Sequence, residues 1–290
     1  MNINGFAQSF SAKGQLWTST LTSNDVPNGL SSTESTLGYI PTLSLFKNLS
    51  NNQLVDIEWA YRLDRTYSGD SLFYNNESYH RYWVRYSSEK LEARLGLQKI
   101  VFGPSLVLRS LSWFDTIDLK DPTGQTDGVE AFRLRWFPSN SLSLWSWVIN
   151  NDQDTLSYGS RAELSNSAGE WGLTYHQDPS KSLQGIGQIG IPVYGSHNRL
   201  AIDYRYDGFI GFWNESALIR SNRSDIIMAT VGADYTLPIA NGLLVMVEYM
   251  SISSKIDSAS YTAIMASMPL GMVHQLMFIS QFDLEENRSY

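Results

Sequence analysis

The stretch Val55-Asp56-Ile57-Glu58-Trp59-Ala60-Tyr61-Arg62-Leu63-Asp64 decides the fold. Its odd positions are large and apolar, and its even positions are acidic, small or basic. Successive side chains of a strand point to opposite faces, so this segment has one oily face and one charged face. A soluble sandwich would bury the oily face in a core. A membrane barrel turns it to lipid and points the charges into a hydrated lumen.

The same two-residue rhythm runs along the chain and predicts strands over 3–21, 35–47, 53–66, 77–88, 91–101, 128–137, 141–150, 157–165, 169–177, 198–206, 209–219, 225–236, 242–252, 257–268 and 271–283. Tight turn sequences such as Ser88-Glu89-Lys90, Asp207-Gly208 and Pro269-Leu270-Gly271 alternate with longer polar connections at 22–34, 67–76, 102–127, 151–156, 178–197, 220–224 and 253–256. Short and long connections alternate in this way when short periplasmic turns and long extracellular loops join the strands of a barrel. The reading is an all-β, transmembrane, antiparallel up-and-down β-barrel in a single domain over 1–290. Even strand numbers are the rule for such chains. The fifteen segments drawn therefore favour about 16 strands with a short or missing last one, and fourteen as the alternative.

Composition agrees. Hydrophobic residues make up 42% of the 290 and the mean hydropathy is -0.23. No apolar run approaches the roughly 18–20 residues of a spanning helix. Aromatics are 13% of the chain, and Trp17, Tyr39, Tyr67, Tyr79, Trp136, Trp171 and Tyr235 lie near segment ends, where membrane girdles concentrate them. No cysteine is present, and the net charge of -8 argues against nucleic acid as a partner. The opening Met1-Asn2-Ile3-Asn4 has neither a basic nor an apolar leader region, and is read as the start of a mature chain whose export signal is absent.

The segment Arg94-Leu95-Gly96-Leu97-Gln98-Lys99-Ile100-Val101-Phe102-Gly103, with Trp113-Phe114-Asp115 and Asp127-Gly128-Val129-Glu130 after it, resembles a pattern of bacterial outer-membrane porins and alginate-export-like barrels. The resemblance implies an outer-membrane location and passive diffusion of small hydrophilic solutes. It also implies that the long connection 102–127 folds into the lumen and narrows it.

The chemistry of that connection suits the role. Leu106, Val107, Leu108, Leu111, Trp113, Phe114 and Ile117 can pack on a wall, while Asp115, Asp118 and Asp121 offer carboxylates, with Arg109 and Lys120 as internal partners. Strict alternation turns Arg81, Arg85, Arg94, Gln98, Arg133 and Arg135 inward on three neighbouring strands. An arginine on lipid at midplane would cost about 2–4 kcal/mol. A basic ladder facing an acidic loop would set a transverse field across a constriction and prefer anionic or hydroxyl-rich solutes such as organic acids or sugars. The ladder's charge is alternatively neutralised by Asp56, Glu58, Glu92 and Glu163. Asp56, Glu58, Arg62, Arg199, Asp203 and Arg205 form a secondary inward set, followed by Asp234 and Glu248.

Catalysis has little support. His80, His176, His197 and His274 are scattered, without metal-ligand spacing, and no Gly-x-Ser-x-Gly elbow occurs. His80 falls on the lipid side of its strand. No metal or cofactor is expected. The expected partners are outer-membrane lipid and lipopolysaccharide, small polar solutes, and further copies of the chain or a periplasmic protein. Competing readings are a barrel component of an export or secretion complex, and a soluble all-β carbohydrate-binding protein.

Overall fold

The computed structural model describes all residues except 1–7, 24, 25, 27–30, 50, 51, 116–122, 124, 152–154, 187–189, 223, 224, 256, 257, 273, 285–287 and 290. It divides into two compact units: residues 1–99 with 117–134, and residues 100–116 with 135–290.

The first unit contains β1 (Gln8–Thr22), β2 (Thr33–Leu49), β3 (Gln53–Ser68), β4 (Ser71–Ser87), β5 (Leu91–Gln98) and the first part of β6 (Val129–Ser139). Successive strands pair antiparallel. The polar stretch 67–76, expected to be a long loop, is instead a strand-to-strand hairpin. Gly69, at φ 58°, and Asp70 make a two-residue turn, and the ladder resumes at Ser68↔Ser71. Such turns need positive φ, which glycine adopts without steric penalty.

Alternation is kept on β3: Ile57 and Trp59 are 46% and 37% exposed, whereas Ala60 and Asp64 are buried. On β4 it is interrupted. Ala60 pairs with Arg81 and Tyr61 with Tyr79, so His80 is an extra residue in a β-bulge. The bulge turns two adjacent side chains, His80 and Arg81, to the same buried face, while Tyr79 is exposed. His80 is therefore not on the lipid side, because strict alternation fails where one strand carries an extra residue.

The second unit continues β6 with β7 (Leu142–Asn150), β8 (Leu156–Asn166), β9 (Gly169–Asp178), β10 (Leu183–Ile186), β11 (Ile191–Tyr194), β12 (His197–Asp207), β13 (Gly211–Ser221), β14 (Asp225–Leu237), β15 (Leu243–Ser254), β16 (Ser258–Leu270), β17 (His274–Asp283) and β18 (Arg288–Ser289). β10 and β11 pair only with each other, a hairpin inside the connection 178–197, and the meander passes from β9 directly to β12. With that hairpin set aside, the described residues carry sixteen strands, the last only two residues long.

Facing in this unit is opposite to that of a water-soluble sheet. Along β12, Leu200 and Ile202 are 47% and 48% exposed, while Arg199 and Asp203 are buried. Val231, Val247, Tyr249 and Ile264 are exposed on β14–β16, and Thr230 and Glu248 are buried. A half-exposed leucine or isoleucine forgoes about 1 kcal/mol in water. Repeated on strand after strand, that loss rivals the whole stability of a domain, about 5–15 kcal/mol. A hydrocarbon solvent removes the penalty.

Candidate functional site

In the first unit the charged face carries a connected set of ions. Arg85 on β4 donates from Nε and Nη2 to the two oxygens of Asp56 on β3, both at 2.8 Å, and Glu92 on β5 lies 3.4 Å from its Nη1. Glu92 also accepts from Arg133 on β6 at 2.8 Å and stands 3.7 Å from Arg94. The cross-strand register produces this: Asp56 faces Arg85, and Arg85 faces Arg94. Glu58 stands opposite Trp83, and Arg62 is paired with Asp64. Arg81 donates to the carbonyls of His80 and Thr126, His80 bonds Gln125, and Gln125 bonds Gln15 on β1, so residues 125–126 are tied to this face. Gln98 is fully buried and donates to the Ala131 carbonyl at 2.9 Å. Most of these ions are only partly shielded, with side-chain exposure of 26% for Arg85, 16% for Arg94 and 15% for Asp56.

In the second unit residues 100–115 lie on the charged face and cover it. Glu248 on β15 accepts the backbone N–H groups of Leu106, Val107 and Leu108 at 2.7, 2.9 and 2.6 Å. Glu215 on β13 accepts those of Ser105 and Leu111 at 2.8 and 3.0 Å. Between them Ser110 Oγ meets Thr230 Oγ1 on β14 at 2.8 Å. Two carboxylates on the wall thus satisfy five loop donors that burial would otherwise strand. Phe102 and Phe114 pack on Trp147, with ring centroids at 5.0 and 6.1 Å, and Phe114 packs on His176 at 4.8 Å. Beneath this layer Thr174, His176, Glu215, Thr230 and Glu248 are wholly buried. A cleft of ≈ 360 Å³ remains beside residues 101–104, lined among others by Arg161, Glu163, Asp203 and Arg205.

One device recurs on the charged faces. Trp17 pairs across strands with Gly38, Trp83 with Gly96, Trp147 with Gly159 and Trp213 with Gly232. A Cβ on Gly38, Gly159 or Gly232 would run into the indole ring opposite. At these three positions the missing side chain lets the indole lie against the wall. Trp147 and Trp213 are buried under residues 100–115, whereas Trp17 and Trp83 are half-buried.

No family model and no curated protein matches the chain. Among solved structures it is similar to an anion-selective porin from Comamonas acidovorans, at 14% identity and TM-score 0.60, over 98% of this chain and 94% of that one. A variant of the Rh. blastica porin gives 13% identity and TM-score 0.58, over 95% and 94%. OmpT of Vibrio cholerae, in a trimer form, gives 7% and 0.57, over 97% and 89%. The fold is that of a bacterial outer-membrane porin. This porin-type, antiparallel up-and-down barrel accounts for the inverted facing: the oily rows look to lipid.

Within the porin fold, the residues singled out from sequence separate into three groups. Arg85, Arg94, Arg133, Asp56 and Glu92 come together, with Glu58, Arg62 and Arg81 on the same face. Arg135 belongs to the second unit, 3.8 Å from Glu163. Arg199 and Asp203 are buried, Arg199 donating to His197 and Asp203 gripped by Arg161 at 2.6 and 2.9 Å. Arg205 pairs with Asp207 at 2.8 Å at the strand end. Asp115 is buried and paired with Arg109 inside its own loop. Asp118 and Asp121, like Ile117 and Lys120, lie outside the described residues.

Trp17, expected in a girdle, instead sits on the charged face under Arg62, whose Cζ is 5.7 Å from its ring. Tyr79, Trp136 and Trp171 are exposed, on the oily side. Sequence reasoning missed Trp83, Trp145, Glu215 and Arg161. Trp83 has a usable signal, since it shares strand parity with the inward Arg85. Among the described residues no His, Asp and Glu side chains converge as metal ligands.

Proposed function

We propose that the chain is an outer-membrane channel that lets small hydrophilic solutes cross by passive diffusion. The observation that carries this reading is the pairing of a porin fold with oily rows facing out and connected ions facing in. Residues 100–115 act in it as the constriction, anchored by Glu215 and Glu248. The solute path includes the partly shielded ions Arg85 and Arg94. Asp56, Glu58 and Glu92 offset part of the charge of the guanidiniums of Arg81, Arg85, Arg94 and Arg133, so the preference is for anions and is modest. The anion selectivity of the Comamonas acidovorans porin supports it, and the trimer form of OmpT supports assembly with further copies of the chain.

The test is reconstitution of the refolded chain into planar bilayers and liposomes. Stable open currents and swelling that falls off with the size of a graded set of sugars and organic acids are expected. A folded, inserted barrel that neither conducts nor supports swelling would refute the channel. Conduction that appears only with a co-purifying periplasmic protein would favour an export component.

A further inference from the structure

Resting on the channel reading, we propose that Trp83 with Arg94, and Trp145 with Arg135, are affinity stations for carboxylates carried on a flat apolar body, aromatic carboxylates above all. Each guanidinium lies over an indole: Arg94 Cζ is 4.4 Å from the Trp83 centroid, and Arg135 Cζ is 3.9 Å from that of Trp145. Other arginines nearby are each held by a carboxylate within hydrogen-bond distance. Arg85 is held by Asp56 in two bonds of 2.8 Å, Arg133 by Glu92 at 2.8 Å, and Arg161 by Glu163 and Asp203. Arg94 and Arg135 differ. Their nearest carboxylate oxygens are at 3.7 and 3.8 Å, beyond hydrogen-bond reach, and neither guanidinium makes a hydrogen bond among the described residues.

With Nε buried, these two cations offer their Nη N–H groups to an incoming carboxylate, which accepts two of them side by side. Half-buried on an indole, they are poorly hydrated. A small, strongly hydrated anion such as acetate gains only the charge there. An anion with a flat ring gains the charge and also covers apolar surface of the indole and the guanidinium. Gly96, directly opposite Trp83, adds no side chain to crowd the platform. The indole of Trp145 is fixed by its N–H, which bonds Ser143 and Glu163, both at 3.0 Å.

Benzoate is the probe, and acetate and cyclohexanecarboxylate are the controls. In planar bilayers, benzoate should interrupt the open current at concentrations about five- to tenfold below acetate, a factor set by one stacking contact of roughly 1 kcal/mol. Cyclohexanecarboxylate should fall between them. With each variant's current normalised to its own open level, R94Q and R135Q should each weaken the benzoate effect and their combination should abolish it. W83F, which keeps a ring, should retain most of it, and W83L should not. Equal effects of benzoate and acetate, or a benzoate effect that survives the R94Q/R135Q pair, overturns the proposal. Quenching of tryptophan fluorescence by benzoate in detergent micelles reads the same sites without current. Binding there from a barrel that does not conduct would refute the channel and keep the stations, whereas conduction without binding would do the reverse.

Discussion

Replacing Glu248 with alanine should open the constriction. The side chain belongs to β15, so the substitution leaves the strand ladder intact, yet it removes the acceptor of three loop N–H groups and of Trp213 Nε1 at 3.2 Å. A buried donor left without a partner costs about 1–3 kcal/mol, so the three loop donors put about 3–9 kcal/mol against the docked loop. Even the lower figure shifts a docked-to-released equilibrium by roughly 150-fold. Opposing release are Glu215, the Ser110–Thr230 contact and the burial of Val107 and Leu111. E248A should therefore raise single-channel conductance, broaden its fluctuations, and expose the Leu106–Leu111 stretch to chymotrypsin in otherwise protease-resistant barrels. E248Q keeps one acceptor oxygen and should lie between. If E248A barrels fold, insert, conduct as the parent does and resist cleavage in this segment, the carboxylate does not hold the loop.

Three further outcomes are expected. R85Q, R94Q and R133Q combined should move the reversal potential in a salt gradient toward cation preference, and an unchanged potential removes these residues from the filter. L200R, on an oily row, should destabilise the barrel by about 2–4 kcal/mol in urea titrations with lipid vesicles, whereas L200I should lie within measurement error. G232V must push the Trp213 indole off the wall, an overpacking cost of about 1–3 kcal/mol that lowers the temperature at which the folded band is lost on gels.

Much of the fold is legible because lipid enforces it. An alternation error on the oily face is expensive, so strands such as Gln53–Ser68 and His197–Asp207 carry their register openly. What is illegible follows from the same physics. Around Gly69 the hairpin is exposed on both faces, with Leu72, Phe73 and Tyr74 all more than half open. Polar residues there report solvent rather than irregular backbone, and a strand reads as a loop. The bulge at His80 is hidden for another reason: one inserted residue changes the phase of a strand without changing its composition.

The docking of residues 100–115 is harder still to read, since its bonds run from backbone N–H groups, and a backbone donor has no sequence identity. The trace lies on the acceptors' side. On β13–β15 the positions facing away from lipid are Trp213, Ala217, Ile219, Met228, Met246 and Met250, all buried. Strands with apolar residues on both faces cannot line open water on either, so something must cover them. Glu215 and Glu248 stand among these side chains with Thr230, and a carboxylate in such company is sustained only by donors brought to it. The first unit shows the contrary pattern around Asp56, Arg85, Glu92, Arg94 and Arg133, where charge lies beside charge. The two walls thus differ in what surrounds their glutamates, and that difference marks where a loop docks.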